Sequence, residues 1–297
     1  MSEIYEHDYA MERRLRDLDP ELHRRFTDAV FAIQHVLSNY KLIFPEYTDH
    51  TELHSLSVID FCNRLIGDQI DKINADELYA LLVSCYFHDT GMGVSEKDFV
   101  EFSAKINFGN YFDTHDPKDR AGTIRDYHNE FSGLFIQKYA DLFELPSDTH
   151  LFAVMEIARG HRKTRLKDKQ AYPISLKVPN GHTICTPYLA ALIRLADEID
   201  ISVKRNPMLL YDTDNVTDPT QIFHRKMHEM VKDMIISPDH FTVVVKSGEP
   251  EVLKGLQGKL NKMQETLDDC REAVNGRTPF EITQKEVVVV AENAAAC

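Results

Sequence analysis

The stretch SCYFHDTGMG, residues 84–93, sets a histidine against an aspartate directly behind an apolar run. The preceding residues, NADELYALLVSCYF, put Leu78, Leu81, Leu82 and Cys85 at helical spacing, with an Asn or Asp at the start as a cap candidate. His88 follows Leu81 by seven and Cys85 by three, and Asp89 follows Leu82 by seven and Cys85 by four. Both therefore fall on the buried face at the C-terminal end of a helix. An unpaired buried carboxylate costs several kcal/mol to desolvate, so Asp89 needs a partner from elsewhere in the chain.

Partners recur at the same register on other helices. In HSLSVIDFCNRLI (54–66), Val58, Ile59, Cys62, Leu65 and Ile66 form a stripe, and His54 heads it four residues before Val58. In PYLAALIRLADEID (187–200), Pro187 marks a first turn and Asp197 follows Ile193 by four. His161 continues Val154, Ile157 and Ala158 at the end of THLFAVMEIARGH (149–161), and His128 precedes Phe131 and Phe135 by three and seven. Four histidines and two aspartates thus face the interior of one helical body. One or two divalent cations among them would keep the carboxylates ionised. The nitrogen and oxygen donor set suits manganese, iron, cobalt, nickel, zinc or magnesium, and not a thiolate zinc site. His50, four residues before His54, and Asp200, three after Asp197, compete for the same faces. Register with the apolar stripes favours His54 and Asp197.

In the order His54, His88-Asp89, Asp197, the chain resembles the H…HD…D signature of the HD-domain metal-dependent phosphohydrolases. HSLSVIDF, CYFHDTGMG and LIRLADEIDIS supply the local context, and the resemblance spans roughly residues 45–205. It implies a mainly α fold, an HD-domain helical bundle, with those four residues holding a metal. His128 and His161 lie where dinuclear members place extra histidines, which implies a second metal bridged by Asp89, and catalytic roles for Asp89 and His128. It further implies hydrolysis of a phosphoester or phosphoanhydride by metal-activated water, with a nucleotide or nucleotide-like compound as substrate. Met92 stands where several branches carry a lysine after the pair. The resemblance therefore does not extend to the HD-GYP cyclic-dinucleotide phosphodiesterases, and the histidine-rich continuation of the dNTP triphosphohydrolases is missing too. Phosphate charge calls for cations. Candidates are Arg162, Lys163 and Arg165 in HRKTRLKDK (161–169), and Arg120 and Arg125 ahead of His128. The bland reading of that run is a solvated loop, and Arg194 could simply pair with Asp197 or Glu198 on its own helix.

Beyond these helices, PISLKVPNGHTICTP (173–187) reads as a β-hairpin around Asn-Gly, and NFGNYFDTHDPKDRAGT (107–123) as a connector carrying the loop residue His115. After about residue 230, a strand pair (234–247), an amphipathic helix (251–275) and a strand (279–290) suggest a small C-terminal α/β appendage. The expected division is an N-terminal helical extension (1–44), an HD domain (45–215) and the appendage (216–297). The long helix could pack on the body, complete the pocket or form a dimer contact.

Composition bounds the rest. The 297 residues are 43% hydrophobic and 28% charged, as in an ordinary globular chain. The start, MSEIYEHDYAMERR, shows no apolar signal region, and no apolar run approaches the ~20 residues of a membrane helix. Five scattered cysteines without a Cys-x-x-Cys pair fit reduced thiols in a cytoplasm. The formal charge of −14 disfavours broad nucleic-acid binding but leaves room for a local phosphate site. The expected partner is a small phosphorylated substrate, with no membrane; a homo-oligomer or protein partner stays open. Two alternatives stand beside the hydrolase: a non-catalytic HD nucleotide-binding module that signals, and an HD nuclease acting with a partner.

Overall fold

A computed structural model describes residues 9–37, 43, 52–201, 219–246 and 250–292. Among the described residues it holds ten α-helices, a two-stranded hairpin and a three-stranded sheet. None of those helices is long and apolar enough to cross a membrane.

The centre of the body is α4, Ala75–Phe87, in which every residue is buried. The sequence pattern predicts one apolar stripe, but the helix is surrounded by α1 (Ala10–Leu18), α2 (Pro20–Leu37), α3 (Glu52–Ile66), α7 (Asp148–Arg159) and α8 (Thr186–Ile199). A helix with no exposed face is what the core of a large domain requires. Its start is fixed by a capping box: the Asn74 side chain accepts from the Glu77 amide, and Glu77 accepts from the Asn74 amide. The carboxyl group of Asp19 caps α2 in the same way, accepting from the amides of Glu21 and Leu22.

Around this centre, α5 (Glu96–Ser103) and α6 (Arg120–Lys138) follow the His-Asp turn, and α6 lies against that turn and against α7. Only two residues per strand make up the expected hairpin, β1 (Leu176–Lys177) against β2 (Thr183–Ile184). Its loop is wider than a two-residue turn; Gly181 takes φ +91° there, and its amide bonds the Val178 carbonyl. The hairpin is tied to the start of α4. Asn74 donates to the Thr183 carbonyl, Glu77 accepts from the Cys185 amide, and Asp76 accepts from Asn180, His182 and His150.

At the C-terminal end, α9 (Pro219–Met230) leads into β3 (Val231–Ile236), antiparallel to β4 (His240–Val245). The long helix α10 (Pro250–Val274) then crosses over to β5 (Glu286–Ala291), which runs parallel to β4. The last strand is shorter than the expected 279–290. Residues 280–285 instead dock on the body: Phe280 stacks on Tyr188 of α8 with centroids 4.3 Å apart, and Ile282 is buried. Backbone groups of that segment are satisfied by side chains, Asn275 for Ile282 and Gln69 for Glu281, so no ladder is needed there. The core of the sheet, of α10 and of the helical body is continuous.

Candidate metal centre

Three helices, α4, α7 and α8, end at the site. The main chain leaves α4 at His88 and turns at Asp89 (φ −101°, ψ 6°) into a short 3-10 turn, Thr90–Gly93. Thr90 donates its hydroxyl to the Phe87 carbonyl, and the Met92 amide bonds the Asp89 carbonyl. Close contact with α6 fixes this turn in space. A Cβ on Gly91 would lie 2.2 Å from the His128 carbonyl oxygen and 2.7 Å from the Ser132 amide nitrogen. Ser132 accepts from the Gly91 amide at 2.8 Å and donates to the His88 carbonyl at 2.5 Å.

The six residues expected from sequence gather here. His54 comes from the first turn of α3, His88 and Asp89 from the end of α4, His128 from mid-α6, His161 from the turn after α7, and Asp197 from the last turn of α8. Asp89 stands between two imidazole pairs. Its Oδ2 lies 3.3 Å from His88 Nε2 and 3.6 Å from His54 Nε2. Its Oδ1 lies 3.4 Å from His128 Nε2 and 3.8 Å from His161 Nε2. Asp197 Oδ1 adds an oxygen 3.2 Å from His54 Nε2. Two groups with metal-holding geometry result: His54, His88 and Asp89, and Asp89, His128 and His161.

Every imidazole turns the same nitrogen inward. The Nδ1 of His88 bonds the Cys85 carbonyl at 2.8 Å, that of His128 the Arg125 carbonyl at 2.8 Å, and that of His161 the Ala158 carbonyl at 2.6 Å. A carbonyl only accepts, so Nδ1 carries the proton and Nε2 presents a lone pair. His54 Nδ1 instead meets Asp200 Oδ2 at 2.7 Å. Four Nε2 atoms thereby converge, with His54 to His88 at 3.3 Å and His128 to His161 at 2.9 Å. Facing lone pairs at that range repel unless a proton or a cation lies between them. Such outer bonds are the arrangement that orients histidines on a metal.

With no cation present, the carboxylates favour a proton on His88, while His128 and His161 stay neutral. For His88, burial alone would lower the imidazole, but the charges of Asp89 and Asp197 outweigh it and carry the group up to about 9. Burial, reinforced by the neighbouring His88 charge, brings His161 down to about 4. Burial and the Arg162 guanidinium hold His128 well below the usual imidazole range. The donor set fits a divalent cation of the manganese-to-zinc series. Neither of the two metal-holding groups contains a cysteine.

Among the expected cations, Arg162 reaches the site: its Nη1 donates to the Arg125 carbonyl at 3.1 Å and lies 3.2 Å from His128 Nδ1. Lys163 is exposed beside it, its Nζ 3.3 Å from the Asp126 carbonyl, in the left-handed region at φ +49°. Arg120 is turned elsewhere, donating to the Val94 carbonyl and lying over the Phe99 ring. Arg165 is exposed. His115 stacks on Tyr111 in the exposed loop. His50 lies outside the described residues.

Sequence reasoning set aside two residues that the structure uses. Asp200 holds the outer nitrogen of His54 while Asp197 faces its inner one, so the two carboxylates act together on one histidine. The Arg194 guanidinium is engaged by the turn after α7. It donates to the Gly160 carbonyl and to both the carbonyl and hydroxyl of Thr164, clamping the turn that carries His161, Arg162 and Lys163. Its place one turn before Asp197 was the only available signal.

The protein-family model HD-CE matches residues 44–272. The chain belongs to the HD-CE family. That name is of the HD type, and the match takes in every histidine and aspartate of the centre, together with most of α10. No curated protein matches the chain.

Proposed function

We propose that this HD-CE chain is an HD-type, metal-dependent phosphohydrolase acting on a nucleotide or nucleotide-like phosphoester or phosphoanhydride. The observation that carries the reading is the division of the Asp89 carboxylate between two imidazole pairs. His54, His88, Asp89 and Asp197 would hold one cation, and Asp89, His128 and His161 a second. A divalent cation there supplies Lewis-acid polarisation of a phosphoryl oxygen and acidifies a water bound to it. The backbone carbonyls of Cys85, Arg125 and Ala158, with Asp200, orient all four imidazoles with Nε2 inward, and a bound cation would replace the inner proton that the carboxylates favour on His88. Arg162, whose guanidinium lies 3.2 Å from His128 Nδ1, and the neighbouring Lys163, Arg165 and Arg125 would neutralise phosphate charge, whereas Arg120 is engaged by the Val94 carbonyl. The buried free thiols Cys62, Cys85, Cys185 and Cys270 suit a reducing, cytoplasmic setting.

The test is hydrolysis of a nucleotide panel with added Mn²⁺, Mg²⁺, Co²⁺ or Ni²⁺, beside metal analysis of the purified chain and an Asp89→Ala control. Phosphate release that disappears in the variant supports the enzyme. Bound metal without turnover would leave a nucleotide-binding module, and absence of metal would sink the proposal.

A further inference from the structure

We propose that Arg194 is a positioning residue for the second cation: it closes the turn that carries His161 and ties that turn to the helix carrying Asp197. The inference rests on the two-cation reading and deepens it. One side chain outside both ligand groups then decides whether the centre holds one cation or two.

The two groups differ in how their residues are held. His54 lies in α3 and Asp197 in α8, and His88 closes α4 with its amide on the Ser84 carbonyl, so helical backbone bonds fix all three. Asp89, past the end of α4, is held by the close approach of Gly91 to α6. In the second group His128 lies within α6, but His161 stands two residues beyond the last residue of α7, Arg159. The turn it occupies includes Lys163 at φ +49°, a conformation that non-glycine residues keep only with support from their surroundings.

Arg194 supplies that support. Its Nε donates to the Gly160 carbonyl at 2.7 Å, and its Nη2 to the Thr164 carbonyl at 2.9 Å and the Thr164 hydroxyl at 2.8 Å. The guanidinium therefore joins the residue before His161 to the residue three after it. Packing seats the turn on the same helix: a Cβ on Gly160 would lie 2.5 Å from the Ala190 Cβ. Ala190, Arg194 and Asp197 are spaced by four and three, so one face of α8 seats the turn, clamps it and supplies the Asp197 carboxylate. On the opposite side Asn129, the neighbour of His128, donates to the Arg162 carbonyl at 3.3 Å. Lysine cannot take the place of Arg194, because an ammonium is a single point, whereas the planar fork reaches two carbonyls at once. Without the clamp His161 would keep its bond to the Ala158 carbonyl but lose its fixed place 2.9 Å from His128 Nε2. His54, His88 and Asp89 would stay as they are.

The experiment is equilibrium dialysis and visible absorption of the full chain, freed of metal with chelator and titrated with Co²⁺. Wild type is compared with Arg194→Lys, Arg194→Gln and Thr164→Val, and with His54→Ala and His128→Ala as references for loss of the first and second site. Wild type is expected to bind two equivalents. Both Arg194 variants should hold the first cation within about threefold of wild type and the second roughly 10–100-fold more weakly, the scale for losing an outer partner of a ligand. Their spectrum at one equivalent should match that of His128→Ala and differ from that of His54→Ala. Thr164→Val, which deletes one of the three acceptors, should weaken the second cation less than the Arg194 variants do. Unaltered binding of the second cation in Arg194→Gln, its full retention in Arg194→Lys, equal loss at both sites, or a spectrum matching His54→Ala would each overturn the role. If both Arg194 variants failed to fold, Thr164→Val would decide by the same criteria. Failure of the two-cation reading shows instead in the wild type, as one bound equivalent or none, and would take the inference down with it.

Discussion

Replacing Asp89 with Asn keeps the shape of the side chain and removes the one anionic donor that both imidazole pairs share. Loss of an outer partner of a metal ligand costs 10–100-fold in affinity, so loss of this shared inner carboxylate should reach about 100-fold or more. Linkage converts that into stability. At a free metal concentration about 100 times Kd, the wild type gains about 2.7 kcal/mol, since the cation binds the folded chain alone. A variant with 100-fold weaker binding gains RT ln 2, about 0.4 kcal/mol, at the same concentration. With two to four degrees per kcal/mol as the scale for domains approaching this size, Tm should rise by roughly 5–10 °C in the wild type and roughly 1 °C in the variant. The chain has no tryptophan, so scanning calorimetry is the suitable assay, with chelator-treated protein titrated with Mn²⁺, Co²⁺, Ni²⁺ or Zn²⁺. Equal upward shifts in wild type and Asp89→Asn would refute the assignment of Asp89 as shared ligand, and no shift with any cation would refute the centre itself.

Two further outcomes follow from the packing and the hairpin. Gly91→Ala drives a methyl group into backbone atoms of α6, which cannot swing aside, and should destabilise by about 3 kcal/mol. Gly258→Ala, mid-α10 with open space around it, should instead stabilise by about 0.5–1 kcal/mol. Urea unfolding of both variants checks the contrast, and equal effects would show that the turn at Gly91 is not clamped. For Asp76, burial raises the carboxyl, but hydrogen bonds from His150, Asn180 and His182 outweigh it and bring the group down to about 2. A folded value below the ordinary 3.8 means the stabilisation is present above pH 4 and fades as pH falls towards 2. Its size is about 2 kcal/mol. The stability gap between wild type and Asp76→Asn should therefore narrow across that window, and a gap independent of pH would refute the role given to the carboxylate.

Much of the centre was legible because its residues sit in register with apolar stripes. His54, His88, Asp89, His128 and Asp197 each repeat a buried position at three, four or seven residues. His161 obeys the same spacing although α7 ends at Arg159, because its amide still bonds the Ala158 carbonyl and the turn keeps the helical sense. What periodicity cannot show is which distant group a side chain meets. Asp200 lies 146 residues from the histidine it holds, and Arg194 is 34 residues from Gly160. The segment after Thr278 misled for a related reason. Its apolar residues alternate as a strand would, but Phe280 and Ile282 fill the body of the protein while Asn275, Thr278 and Gln69 take up the backbone groups.

Backbone electrostatics give an independent reason for a cation at this place. Three helices end there: α4 at His88, α7 just before His161, and α8 at Asp197 and Asp200. Each C-terminus carries about half a negative charge in unsatisfied carbonyls, and a cation near it gains roughly 0.3–1 kcal/mol, or up to about 2 when partly buried. His88, His128 and His161 take up three of the nearby carbonyls through Nδ1, which turns the lone pairs of Nε2 and the charge of the carboxylates to the same point. Three C-termini outnumber the single N-terminus of α3 that brings His54, so the balance of helix ends favours the same sign as the ligands. An anionic substrate would meet the opposite field, since three helix C-termini and the inner carboxylates all repel it. An anion would approach such a point only once cations occupy the centre. On the proposed reading, an anionic substrate would therefore need both a filled centre and a cationic side chain such as Arg162, which lies 3.2 Å from His128.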